Sequence, residues 1–395
     1  MPSKRQLFLQ HLAPTSPEPL GLEIVSAEGV YLMDQDGKKY LDLIAGISVS
    51  SLGHRHPKVV TAIKKQLDCY LHTMVYGEYV LSPQVQLVEL LCQNLPDNLN
   101  SVYFVNSGSE ATEGAMKLAK RATGRTQIIA ARNAYHGSSH GPASLMSPTT
   151  FTQAFYPLLP DIQHIEFNEA DSLAQITTKT ACVVVETVQA ESGVHPPQDD
   201  FLKKLRQRCD EVGALLVLDE IQVGYGRTGT LWAFEQYGIV PDILLIAKAM
   251  GGGMPMGAFI ASQDLMKTLS SRPILGHITT FGGHPVCCAA GLATLKVMLE
   301  EQWISEVKAK EQLLHDLLQH PHIQAVRSAG LIMAVELGSF EKIQKVIKYC
   351  LDKGLITDWF LFNDRSIRIA PPLIISEAQI KWACEVLLEG IDRML

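Results

Sequence analysis

Between about residues 60 and 290, short unbroken apolar runs alternate with longer stretches in which apolar residues recur every three or four positions. The first kind reads as strands buried on both faces, the second as amphipathic helices lying on a sheet. The pattern predicts strands over Val102–Val105, Gln127–Ala131, Ala181–Val188, Ala214–Leu218 and Ile243–Ala247. It predicts helices over Phe201–Val212 and over Ser109–Ala122, where Ala111, Ala115, Leu118, Ala119 and Ala122 share a face. Such alternation implies an α/β fold with a mainly parallel sheet, and open sheets of this kind bind ligands beyond the carboxyl ends of their strands.

The flanks read differently. Two β-like pieces, around Gly29–Met33 and Lys39–Leu43, are joined by the turn-rich Asp34-Gln35-Asp36-Gly37. After about residue 290, helical patterns (Ala289–Glu301, Ile304–Leu318, Phe340–Lys353) alternate with strand-like pieces near Leu331–Leu337 and Ile367–Ile369. The expected division is an N-terminal segment over 1–60, a large domain over 61–290 and a C-terminal small α/β domain over 291–395.

Composition narrows the classes. With 47% hydrophobic residues and a net charge of −7, the chain is neither disordered nor built to bind nucleic acid, which needs clustered Lys and Arg. No apolar run approaches the roughly 20 residues that cross a bilayer. Eight scattered cysteines without a CxxC pair read as reduced thiols, so the expected location is the cytoplasm, with neither nucleic acid nor membrane as partner.

Three apolar strands run into an ionisable group: Val183-Val184-Val185 into Glu186, Leu215–Leu218 into Asp219, and Ile243–Ala247 into Lys248. Each alone could be a buried ion-pair partner or the point where a strand surfaces, but three at one sheet edge suggest chemistry. Asn106-Ser107-Gly108-Ser109-Glu110, between a strand and a helix, suits an anion held by backbone N–H groups and hydroxyls, or simply an N-cap. Lys248 precedes Ala249-Met250-Gly251-Gly252-Gly253, a stretch expected to form no helix. A lysine desolvated at a strand end becomes a nucleophile toward aldehydes, which fits a Schiff base with pyridoxal 5'-phosphate; Asp219 would partner its pyridinium nitrogen. Gly224–Gly229 matches GxGxxG but lies too far past its strand for a dinucleotide site. His54 and His56 lack a third ligand, so no metal is expected.

These blocks resemble the class III pyridoxal-phosphate aminotransferases, the ornithine and N-acetylornithine aminotransferase group of fold type I. The resemblance runs from about Gly29 to Ile375 and rests on Gly53–Pro57, Asn106–Ala111, Tyr135-His136-Gly137, Leu218–Gln222 with Gly226–Gly229, the Lys248 block, Thr279–Gly283 and Arg368–Leu373. It implies a large domain around a mainly parallel seven-stranded sheet and a smaller α/β domain made from the N- and C-terminal segments. It further implies ping-pong transfer of an amino group from an amino acid or ω-amine to a 2-oxo acid. Lys248 would be the Schiff-base lysine and proton shuttle, and Asp219 the partner of the ring nitrogen. Tyr135 and Ile221 would cover the two ring faces, and Gln222 would sit near the phenolic oxygen. Gly108 and Ser109 would cradle the phosphate, with His136 and Glu186 completing the cofactor-binding set. Thr280 resembles a threonine that reaches the neighbouring subunit's phosphate, which implies a homodimer. Glu191 resembles a glutamate that masks an arginine placed like Arg368 until that arginine clamps the substrate's α-carboxylate.

The chain departs from those enzymes where substrates are chosen. Ser138 stands where they usually carry an arginine that grips a distal carboxylate, a loss of roughly 1.5–3 kcal/mol for a charge-assisted hydrogen bond. This argues against acetylornithine itself as donor and 2-oxoglutarate as acceptor, and leaves an acetylornithine- or ornithine-like or other ω-amino donor as the expectation. Ile47, Thr187, Ile278 and His284 are further departures that leave the cofactor set intact. An aminomutase or racemase of the same fold, and a non-catalytic binding protein that kept it, stand as alternatives.

Overall fold

The computed structural model describes residues 2–394. Seven strands form the central sheet, in the spatial order Ser101–Val105, Gly257–Ala261, Ile243–Ala247, Leu215–Asp219, Thr180–Glu186, Gln127–Ala131 and Ile162–Ile165. Gly257–Ala261 runs antiparallel to both neighbours and the other pairings are parallel. Two of these strands, Gly257–Ala261 and the edge strand Ile162–Ile165, are additions to the expected set. The strand expected over 181–188 ends at Glu186.

Residues along each central strand alternate between two apolar cores, one per sheet face. Val183, Val185, Leu216, Leu218, Leu244 and Ile246 face one core with Leu202 and Leu205 of the Phe201–Val212 helix. Cys182, Val184, Val217, Ile243 and Leu245 face the other with Ala111, Ala115 and Leu118 of the Gly108–Thr123 helix. Period-two alternation then puts Glu186 and Asp219 on the side of the Gly108–Thr123 helix. The start of that helix lies at the same sheet edge as the two carboxylates.

Two four-stranded sheets complete the fold. Residues Ile24–Glu28, Tyr31–Asp34 and Lys39–Asp42 are joined by Leu355–Ile356, which pairs in parallel with Lys39–Asp42. The second sheet contains Ala325–Ser328, Met333–Glu336, Asn363–Ile369 and Asp358–Phe360. Arg227 ties these parts to the large sheet: its fully buried guanidinium donates to the carbonyls of Leu331 and Pro371 and to Ser51 Oγ. Burial pushes it down to about 9. The Gly224–Gly229 motif thus forms a structural turn around an internal arginine.

Candidate active site

A cavity of about 780 Å³ opens at the carboxyl edge of the sheet, lined by Gly108, Ser109, Tyr135, His136, Ser138, Glu186, Asp219, Ile221, Gln222 and Lys248. The in-register pair Glu186 and Asp219 ends two adjacent strands. Lys248 follows the next strand over and begins a short 3₁₀ turn, Lys248–Gly251, where the sequence suggested no helix at all. Its φ of 46° is left-handed, a conformation that costs a non-glycine residue about 1 kcal/mol or more and that clusters at functional sites. Lys248 Nζ donates to Gln222 Oε1 at 3.2 Å. Burial, offset in part by Glu191 and Asp219, holds its ammonium below the ordinary lysine range.

Asp219 is fixed on both oxygens. Oδ1 accepts from the Ile221 backbone at 2.9 Å, and Oδ2 lies 2.7 Å from His136 Nδ1. Burial works against a charged His136, but Asp219 and Glu186 outweigh it and raise the imidazole above its usual value. Burial also pushes Glu186 up to about 7, with His136 opposing, while its oxygens accept from the Tyr135 and Ala190 backbones.

The candidate anion cradle is built by close approach. Ser107 caps the helix, its hydroxyl accepting from the Glu110 backbone at 3.2 Å. Ser109 Oγ lies 2.8 Å from Ser139 Oγ and accepts from the Ser139 backbone. Gly137, at φ 127°, lies so near that a Cβ there would stand 2.4 Å from Ser109 Oγ. Pyridoxal phosphate fits these residues. The helix start offers donors to a phosphate, Asp219 offers a carboxylate to the ring, and Lys248 offers an amine to the aldehyde. The buried Gln222 Nε2 has no hydrogen-bond partner among the described residues, so a donor is free in the cavity.

Four expected site residues lie off this lining. Glu191 and Arg368 form a buried bidentate pair, Nη1–Oε1 3.1 Å and Nη2–Oε2 3.0 Å. Burial would raise Glu191, yet Arg368 and Lys248 hold it below the usual range. Thr280 is exposed on the 272–283 loop, and its neighbour Thr279 accepts from Asn106 Nδ2 at 3.1 Å. Ile47 belongs to a turn, Ala45–Ser48, whose residues all have positive φ between 50° and 62°. Asp42 Oδ1 braces that turn by accepting from the Ile44 and Ala45 backbones, and Val49 just beyond it lines the cavity. Sequence reasoning missed Val49, Met254, Pro255 and Met256 on the lining, and Glu113, which accepts from Ser139 Oγ and the Gly141 backbone. No periodicity marks a left-handed turn, although Gly46 at its centre was a signal.

A family model described as "Aminotransferase class-III" matches residues 12–391. Acetylornithine aminotransferase of Methanocaldococcus jannaschii is 38% identical over 387 residues, covering 95% of this chain and 94% of the relative. That of Methanopyrus kandleri is 37% identical over 373 residues, covering 93% and 94%. The structure of the Toxoplasma gondii ornithine aminotransferase, with pyridoxal phosphate at partial occupancy, superposes with a TM-score of 0.91 at 27% identity, covering 98% of this chain and 93% of that one.

Proposed function

The chain belongs to the class III aminotransferases, whose cofactor is pyridoxal phosphate. From that premise we propose that it moves an amino group from an ω-amine or amino-acid donor to a 2-oxo acid in two half-reactions, with Lys248 as the catalytic amine. The observation that carries this is a desolvated lysine sharing one cavity with Asp219 and the start of the Gly108–Thr123 helix. When bound, the cofactor supplies an aldehyde that condenses with amines and a cationic ring that withdraws electrons from the substrate carbon.

The chain's own residues do the rest. Lys248, uncharged more readily than an exposed lysine, would take a proton from the donor's carbon in one half-reaction and supply a proton to the acceptor's carbon in the other. Asp219, held by Ile221 and His136, would pair with the ring nitrogen and favour its protonated form. Gly108, Ser109 and the helix start would hold the phosphate, Tyr135 and Ile221 would confine the ring, and Gln222 would lie near its oxygen. Glu191 masks Arg368 while an ω-amine reacts and releases it to grip an α-carboxylate. Thr280 serves a neighbouring subunit's site in a homodimer and Ile47 borders the substrate, with residues 61–290 as the cofactor-binding domain and the flanking segments as a small domain. The exposed Ile274, Ile278 and Phe281 beside Thr280 support that assembly. We place the enzyme in the cytoplasm.

Borohydride reduction of the holoenzyme followed by peptide mapping tests this. The cofactor is expected on Lys248, with Lys248→Ala losing both the label and turnover. A label on another lysine overturns the assignment, and isomerisation of a donor with no 2-oxo acid present overturns transfer.

A further inference from the structure

Arg368 has more anionic company than a substrate clamp requires. Beyond Glu191, its Nε stands 3.1 Å from Asp358 Oδ1, its Nη2 donates to the Trp359 carbonyl at 2.8 Å, and its guanidinium stacks 4.7 Å from the Phe360 ring centre. Asp358 and Arg368 are directly paired across antiparallel strands. The ladder fixes the Asp358 backbone opposite Arg368, whereas Glu191 comes from a separate segment, accepts from Arg368 and the Leu361 N–H, and can leave by rotating its side chain. Neither Arg368 Nε nor Asp358 Oδ1 has an aligned hydrogen bond among the described residues, so this second carboxylate acts as a charge alone.

We propose that Asp358 is a specificity-determining residue that remains beside Arg368 when Glu191 departs, so that the freed guanidinium is already compensated and grips α-carboxylates weakly. The inference rests on the assignment of Arg368 as the α-carboxylate clamp. A carboxylate arriving with Asp358 ionised leaves the cluster with one excess negative charge; with Asp358 neutral it leaves none. Ser138 acts in the same direction, leaving a second carboxylate without a cation. Both positions favour weakly anionic substrates, amines above all.

The device is sensitive to pH. Burial pushes Asp358 up to about 6 against the pull of Arg368, and the other charges facing it are Glu191 and Asp42. His54 Nε2 lies 2.9 Å from Asp42. Acidification through that range neutralises Asp358 and strengthens carboxylate capture.

The test uses the holoenzyme and methoxyacetate, a carboxylate with no carbonyl to react, measured calorimetrically, together with the dependence of the second half-reaction on pyruvate. At about pH 8, Asp358→Asn is expected to bind methoxyacetate about a hundredfold tighter and to lower the pyruvate concentration at half-maximal rate similarly, the scale of one like charge removed from about 6 Å away at an effective dielectric of about 20. An amine donor lacking a carboxylate should react unchanged. In the unaltered enzyme, affinity should rise as pH falls from about 8 to about 5.5, and the variant should be flat. Equal affinities of variant and parent, or a parent profile that stays flat, overturn the proposal. If Arg368→Ala binds methoxyacetate as well as the parent does, the clamp itself is wrong and the proposal falls with it; if Arg368→Ala loses binding while Asp358→Asn changes nothing, only the proposal falls.

Discussion

Gly137 and Gly108 both border the proposed phosphate cradle, yet they should respond very differently to one added methyl. A Cβ at Gly108 meets the flexible end of Ile221, Cδ1 at 2.8 Å, which can turn aside. A Cβ at Gly137 stands 2.4 Å from Ser109 Oγ, 2.7 Å from its Cβ and 2.8 Å from its Cα, atoms fixed by the helix. Its φ of 127° is also one that L residues rarely adopt. Taking the lower end of the overpacking and backbone costs, about 1 kcal/mol each, Gly137→Ala should displace Ser109 at a cost of about 2 kcal/mol. Borne by the cofactor-bound state, that is a roughly thirtyfold rise in the Kd for pyridoxal phosphate. Gly108→Ala should stay within about threefold, since a side-chain rotation absorbs the contact. Absorbance titration of the apoenzymes, with thermal melts of both, separates cradle from fold. If Gly137→Ala binds the cofactor as tightly as its parent, or Gly108→Ala is the worse of the two, the geometry does not set phosphate affinity.

Two other outcomes follow from the site and the core. Ser138 is exposed on the cavity wall, its Oγ 3.0 Å from the Tyr135 hydroxyl, so Ser138→Arg has room to extend. It should raise relative kcat/KM toward substrates with a second carboxylate by about tenfold, and an unchanged ranking across a substrate panel refutes this. Glu220, which accepts from Thr187 Oγ1 and the Ala233 and Phe234 backbones, is pushed up to about 7 by burial. Because its folded-state value is raised, its contribution to stability is full below the ordinary glutamate value and is lost as pH rises through about 7. Half-buried histidines such as His164 and His195, which partial burial holds low, pull the other way. The comparison is therefore between parent and Glu220→Gln: the parent's Tm relative to the variant's should fall between about pH 5.5 and about pH 8, and a constant difference sinks the claim.

Strands covered on both faces were legible because they are written as unbroken apolar runs: Ile243–Ala247 was read to the residue, and Leu215–Asp219 to within one. Their ends carry the candidate site, so Glu186, Asp219 and Lys248 stand out in the sequence alone. Gly257–Ala261 was not legible, since its first residue must be small for a reason remote in sequence: a Cβ at Gly257 would stand 2.5 Å from the Ser107 carbonyl. Ile162–Ile165, with Gln163 and His164 at its centre, is an edge strand with too little apolar signal to register. The Ala45–Ser48 turn and the Asp358–Arg368 contact depend on handedness and cross-strand register, neither of which has a local code.

The parallel pairing of Leu355 with Leu41 joins residues 314 positions apart (355 − 41 = 314), so during synthesis the Lys39–Asp42 strand has an open edge until its partner leaves the ribosome. At roughly 5–20 residues per second that wait is on the order of 15 to 60 s, during which an unpaired strand is exposed to wrong partners. Lys248 and the pieces that surround it are all translated well before Arg368. A nascent chain therefore has the residues of its candidate coenzyme pocket in hand before it has the arginine proposed to grip an α-carboxylate.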